Sequence, residues 1–234
     1  MTTHLFQPLQ IGPLTVPNRI VVAPMCQYSA NDGMLSDWHI AHLTAMASGG
    51  PGMVVIEATA VERIGRITHG CAGLYSDDAM HAMAHVIRFA KSVAPHVTFG
   101  VQLAHAGRKA SARRPWEAGP QLQIDNGGWQ VVAPSAIPFD TGWQTPAALD
   151  EAGIQRIIVA FRDAAVRAVQ AGVDAIELHM AHGYLMHSFI SPLSNTRRDA
   201  WGGDIHGRMA LPLAVTRAVR DAIPAHIALG ARIT

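Results

Sequence analysis

Residues 179–189, "HMAHGYLMHSF", hold three histidines and a tyrosine within eleven positions. Three chemistries suit such a run. The H-x-x-H spacing of His179 and His182 suits zinc once a third ligand is found, and Cys26 can be offered as one. A nucleophilic triad needs a base that an acidic partner orients. The third option is a pair of neutral imidazoles donating hydrogen bonds to the oxygen of an organic substrate. Other reactive types recur at comparable places: Cys26 and Tyr28 in "APMCQYS", Gln102 in "QLAHAGRK" and Arg232 in "ALGARIT". Each also has a plainer reading. A lone cysteine after an apolar run reads first as a small buried hydrophobe. Gln102 resists that treatment, because an unpaired amide costs a few kcal/mol to bury and so needs a protein or ligand partner. His39, His42, His81 and His85 fall in helix-like stretches and are expected on helix surfaces or interfaces without chemistry. No carboxylate is placed among the candidates, which argues against hard-metal chemistry.

The elements that must position these residues are legible from periodicity. Five continuous apolar runs, at residues 20–25, 53–58, 97–105, 174–180 and 227–234, predict strands buried on both faces. Helix-period segments lie between them. Residues 150–172 place Ile154, Ile157, Phe161, Ala165 and Ala168 on one stripe, with Asp150 as N-cap and Gly172 as the stop. Residues 37–50, 77–94 and 207–223 read as further helices. Alternating β and α implies a parallel sheet with helices outside it, and its reactive groups collect at the carboxyl ends of the strands. Lys109 to Thr145 break the rhythm after the third strand with prolines, paired glycines and tryptophans; this long loop is expected to wall or cover a site, or else to be a surface excursion. The architecture expected is a (β/α)8 TIM barrel in which residues 1–234 form a single domain supplying about the first five strands. The chain is therefore expected to be the front part of a longer barrel, with two unpaired edges and an uncovered apolar face.

Composition narrows the classes further. The 234 residues are 49% hydrophobic and 15% charged, which indicates a well-cored globular protein. Lysine and arginine number 18 against 17 acidic residues, without blocks of like charge, so no nucleic-acid or acidic-lipid surface is indicated. Cys26 and Cys71 are too few for a disulfide scaffold, the start lacks a secretory pattern, and no apolar run approaches a membrane span. A cytoplasmic setting and small-molecule partners are expected.

Six stretches, "NRIVVAPMCQYSANDGMLSDWH", "EATAVERIGRIT", "QLAHAGRKAS", "APSAI", "AGVDAIELHMAHGYLMHSFISPLSNTRRDAWGG" and "LGARIT", together resemble the Old Yellow Enzyme family of FMN-dependent ene-reductases, in particular its bacterial class with xenobiotic reductase A and thermophilic-like members. The resemblance covers essentially the whole chain in order. It implies a TIM barrel, FMN as cofactor and NADPH or NADH as reductant. It implies that Ala23, Pro24, Met25 and Cys26 line one side of the flavin, that Ala58 and Gln102 contact its pyrimidine portion, and that Arg232 lies at its N1/O2 edge. A permanently charged arginine there stabilises negative charge on the reduced ring, and a thiol beside it adjusts the potential. It further implies that His179 and His182 hold the substrate's carbonyl or nitro oxygen, that Tyr28 lies nearby, and that Tyr184 delivers a proton. Activated alkenes would be reduced in a ping-pong cycle by hydride transfer to the β-carbon and protonation of the α-carbon. The full-length parent is expected to be a homo-oligomer.

Two departures stand out. Where the family usually has a tyrosine before two glycines, then serine and an asparagine–arginine pair, this chain reads Trp201, Gly202, Gly203, Asp204, Ile205, His206, Gly207, Arg208. Gly207 replaces the asparagine, which puts the local hydrogen bonding in doubt. The loops that grip the flavin phosphate after the family's last two strands have no counterpart, so the alternative is a non-catalytic fragment, or a subunit needing a complementing chain to bind FMN.

Overall fold

The computed structural model describes residues 3–119 and 121–234. Its centre is a five-stranded, wholly parallel sheet in the order β3 (Val21–Val22), β4 (Met53–Ala60), β5 (Thr98–Ala104), β8 (Ala175–Met180) and β9 (Ala228–Ile233). These are the five runs expected from the sequence, although the first forms only two residues of ladder. The helices α1 (Asp37–Ser48), α2 (Asp77–Val93), α3 (Glu151–Ala171) and α5 (Ile205–Ala222) follow β3, β4, β5 and β8 respectively, and the short α4 (Leu185–Ile190) precedes α5. The α3 boundaries follow from capping. Asp150 accepts a 2.7 Å hydrogen bond from the Gly153 N–H, and Gly172 turns out of the helix at φ +92°. Among the described residues no helix is long and apolar enough to cross a membrane.

Strand alternation sorts side chains between two layers. Phe99, Val101, Leu103, Ile176 and Leu178 face the helices and pack with Ile154, Ile157 and Phe161. Full burial of each such side chain contributes about 1.5–3 kcal/mol. The alternate residues, Gly100 and Gln102 on β5 and Ala175, Glu177 and His179 on β8, belong to the concave side. A shift in the β4–β5 register between Ile56 and Ala58 marks a bulge at Glu57. The extra residue shifts the alternation by one, so that Val55 faces the concave side, Ile56 the helices, and Ala58, which strict alternation would turn outward, the concave side.

One antiparallel hairpin, β1 (Leu9–Ile11) with β2 (Leu14–Val16), is absent from the sequence reading. Val16 joins Met53, Val55, Ala175 and Ala228 in a small core, with Leu9, Ile11 and Leu14 packed on it. The expectation of an uncovered concave face is thus corrected in part: the hairpin floors its amino end. Val21 and Ile233, near the two sheet edges, remain 45% and 66% exposed. The long loop after β5 is ordered by its own contacts, including a short parallel pair, β6 (Val132–Ala133) with β7 (Ala147–Ala148), and Gln121, whose Nε2 donates to the carbonyls of Arg108 and Ala110.

Candidate active site

At the carboxyl ends of the strands lies a cleft of about 190 Å³. Pro24 and Cys26 come to it from beyond β3, Ala58 from β4, Gln102 from β5, His179 from β8, His182 and Tyr184 from the turn after it, and Arg232 from β9. Ladder register explains the convergence. Ala58 pairs with Gln102, Gln102 with Glu177, and His179 with Arg232, so residues scattered over 175 positions share one level of the sheet. Ala23 and Met25 do not join them. Both are exposed, on the alternate positions to Pro24 and Cys26 of an extended segment. Tyr28 does not line the cleft but stands within electrostatic reach of Cys26 and Tyr184, with Trp116 of the long loop packed edge-on against its ring.

The expectation that no carboxylate enters the site is also corrected. Glu177 lies beneath it, accepting hydrogen bonds from Gln102 Nε2 at 2.6 Å and Arg232 Nε at 3.0 Å. This is the partner that the buried Gln102 amide requires. Glu177 precedes His179 by two residues, and period two alone places both on one face. A second carboxylate, Glu57 at the bulge, lies behind Cys26 against α1, where its Oε2 is 3.4 Å from His39 Nε2 with both side chains almost fully buried. His39 therefore sits in a helix–sheet interface.

The imidazoles are held in defined roles. The Ala181 N–H points at His179 Nδ1 at 3.3 Å, which assigns the ring proton to Nε2; Nε2 in turn lies 3.4 Å from His182 Nδ1. Burial, then the surrounding His182, Arg232, Lys109 and His187, lower the His179 pKa to about 3. It is a neutral donor at physiological pH. Among the described residues no group of three or more histidine, cysteine, aspartate or glutamate side chains is placed to hold a metal ion. His182 has φ +60° and Gly183 φ +74°; this left-handed turn is costly for histidine and is pinned by Lys109 Nζ donating to the His182 carbonyl at 2.9 Å and by the Gly183 N–H donating to His187 Nδ1 at 2.8 Å. His187 is thereby structural. Tyr184 meets His179 edge-on, with centroids 4.9 Å apart. Burial pushes the Tyr184 hydroxyl and the Cys26 thiol well up, and the Tyr28 hydroxyl up to about 12, so all three stay protonated.

The donor set suits a flavin. Gln102 keeps its carbonyl oxygen, and Arg232 one terminal amine, without a protein partner among the described residues. A carboxamide and a guanidinium match the alternating acceptors and donor of a flavin's pyrimidine edge, while Pro24, Ala58 and the neutral Cys26 offer an uncharged surface to its rings.

The profile of the NADH:flavin oxidoreductase / NADH oxidase family matches residues 4–234. The chain belongs to that family. An NADH:flavin oxidoreductase of Gibberella zeae is 42% identical over 227 residues, covering 95% of this chain and 54% of the relative. An NADPH dehydrogenase of Bacillus velezensis is 43% identical over 223 residues, covering 94% of this chain and 61% of the relative. Among solved structures, morphinone reductase superposes with a TM-score of 0.83 at 28% identity, covering 100% of this chain and 62% of that one. The Old Yellow Enzyme from Pichia sp. AKU4542 gives a TM-score of 0.86 at 26% identity, covering 99% of this chain and 60% of that one. The Old Yellow Enzyme resemblance and the barrel fold read from the sequence are borne out. In this NADH:flavin oxidoreductase family the cofactor is FMN and the reductant a nicotinamide. The chain spans 54% and 61% of the length of the two curated family members above.

Proposed function

We propose that this chain carries the cofactor- and substrate-facing half of an FMN-dependent NAD(P)H oxidoreductase that reduces activated C=C bonds, in enones, enals and nitroalkenes. The observation that supports this most is the meeting, in one cleft, of a neutral imidazole pair and a protonated tyrosine with a carboxamide and a guanidinium. Bound FMN supplies hydride to the alkene and is recharged by the reduced nicotinamide.

The residues of this chain do the rest. Gln102 and Arg232 hold the pyrimidine edge, with Glu177 fixing both side chains from below. Arg232 keeps its charge and stabilises anionic character there. The Cys26 thiol stays neutral against the rings, since burial disfavours its ionised form. His179 and His182 hold the activating oxygen. Their mutual contact, long at 3.4 Å, yields readily to a better acceptor. As negative charge grows on that oxygen, both donations strengthen, which lowers the barrier more than it tightens ground-state binding. Tyr184 then gives its hydroxyl proton to the α-carbon; the O–H bond breaks as the C–H bond forms, and solvent reprotonates the phenolate. A donor with a raised pKa suits a strongly basic carbon.

A second reading, in which the half barrel holds FMN only with a complementing chain, is favoured by the exposed Val21 and Ile233 near its sheet edges. Adding FMN to the purified chain separates the two. A bound flavin spectrum that bleaches with NADPH under anaerobic conditions is the outcome for the first; no retained flavin after gel filtration favours the second.

A further inference from the structure

Lys109, at the start of the long loop, has a half-buried ammonium whose contacts are unusual for a structural lysine. One N–H donates to the His182 carbonyl at 2.9 Å. The rest of the group lies over two aromatic faces, 4.6 Å from the Phe139 centroid and 5.0 Å from that of Tyr184. Among the described residues no carboxylate pairs with it, and the one carboxylate beneath the cleft, Glu177, is already engaged by Gln102 and Arg232. Its sequence neighbour Arg108 adds a second cation, tied to the carbonyls of Ile137 and Pro138. Pinning the His182 carbonyl takes one of three N–H donors. The other two meet only the aromatic faces, and among the described residues no anion balances the charge. Burial and Arg108 push the Lys109 pKa down, which means that its charged form is held at a cost that an anion alongside would relieve. The ammonium stands one ring away from His179, across Tyr184.

We propose that Lys109 anchors a carboxylate carried by the alkene substrate, so that the cleft selects unsaturated carbonyl compounds bearing a second, ionised acid group. The proposal rests on the reading of His179 and His182 as holders of the activating oxygen. The carboxylate pairs with Lys109 while the activating oxygen sits between the imidazoles, and the alkene is fixed at two points beside Tyr184. Two-point attachment orients the reacting carbons better than the oxygen alone.

A ligand that cannot be reduced tests this without turnover. 4-Hydroxybenzoate offers one oxygen to the imidazoles and a carboxylate across a flat ring; methyl 4-hydroxybenzoate differs by the charge. Isothermal titration of the chain, with and without added FMN, is expected to show about tenfold tighter binding of the acid at low salt. Lys109→Met, which keeps the apolar stem, abolishes that preference, with any loss of the His182 carbonyl contact weakening acid and ester alike; Lys109→Arg retains the preference. Equal affinity of the wild type for both ligands, binding of neither, or an equal loss of both in Lys109→Met overturns the proposal. If Lys109→Met weakens NADPH and spares the preference for the acid, the anion served is the phosphate of the reductant and the proposal is likewise overturned. Absence of retained flavin in the same samples counts against the reductase reading, whereas the charge preference is read from ligand heats alone.

Discussion

Charge is scarce in the cleft because most of its side chains are uncharged near neutral pH, and desolvation reinforces that. Burial first, and neighbouring charges second, move His179, Cys26 and Tyr184, with Tyr28 beside them, further towards their neutral forms. Arg232 and Glu177 pair with one another. Under the proposed function, a hydroxyl so reluctant to ionise gives its proton only to a strong base, which would put Tyr184 late, after hydride transfer to the alkene. Tyr184→Phe is accordingly expected to slow alkene reduction by about a hundredfold or more, the usual worth of a general acid, and to leave flavin reduction by NADPH within about threefold. Stopped-flow measurement of the two half-reactions checks this; equal slowing of both contradicts the proton-donor role. The candidate list read from the sequence holds most of the cleft residues, since strand ends are where such a fold puts reactive groups. It lacks Glu177, Glu57 and Lys109. Their contacts run to residues 75, 18 and 73 positions away, and no local pattern announces them.

At the scale of elements, caps and turns decide where the site residues stand. The turn at His182–Gly183 and the start of α4 are fastened from β5, where the His105 carbonyl accepts from the Leu185 N–H at 2.9 Å and its ring accepts from the Gly107 N–H at 3.0 Å. The other ring nitrogen of His105 lies 2.9 Å from Glu62 Oε1, and Arg156 of α3 donates to Glu62 Oε2. A line of contacts thus runs from an outer helix to the His182–Gly183 turn. The departure at Gly207 resolves in similar terms. Asp204 caps α5 by accepting from the Gly207 N–H, and Arg208 Nε donates to the Ile190 carbonyl at 2.8 Å. A Cβ on residue 207 would stand 1.9 Å from the Gly202 carbonyl oxygen. Gly207→Asn, which restores the usual family residue, is therefore expected to lower stability by about 1–3 kcal/mol through backbone displacement. Urea unfolding followed by circular dichroism measures it, and an unchanged midpoint would show that the loop gives way freely.

For the molecule as a whole, the sheet is the front of a barrel whose amino end is floored and whose edges are open. The β1–β2 hairpin covers Met53, Val55, Ala175 and Ala228. It leaves Val21 and Ile233 exposed, and β9 pairs on one side alone among the described residues. An apolar, parallel edge of six residues is a template for another strand. The 25.0 kDa chain on its own is expected to sediment as a species larger than a monomer and to bind a hydrophobic dye, with Ile233→Lys reducing both. A single monomeric boundary in analytical ultracentrifugation, with no dye binding, would show the edges to be self-protected.

The sequence by itself determined the alternation of strands and helices, both ends of α3, the family and most of the cleft residues. Each of these rests on local periodicity, a cap or a contiguous motif, all of which act over a few residues. Tertiary structure alone decided the rest. The ladder register brings Glu177 under Gln102 and Arg232, and the bulge at Glu57 turns Ala58 into the cleft. Ala23 and Met25 stand exposed beside the cleft, and a lysine at the head of a loop comes to rest over Tyr184. These depend on which strands pair and at what offset, a property of packing between distant segments that hydrophobic pattern constrains only to the choice of face.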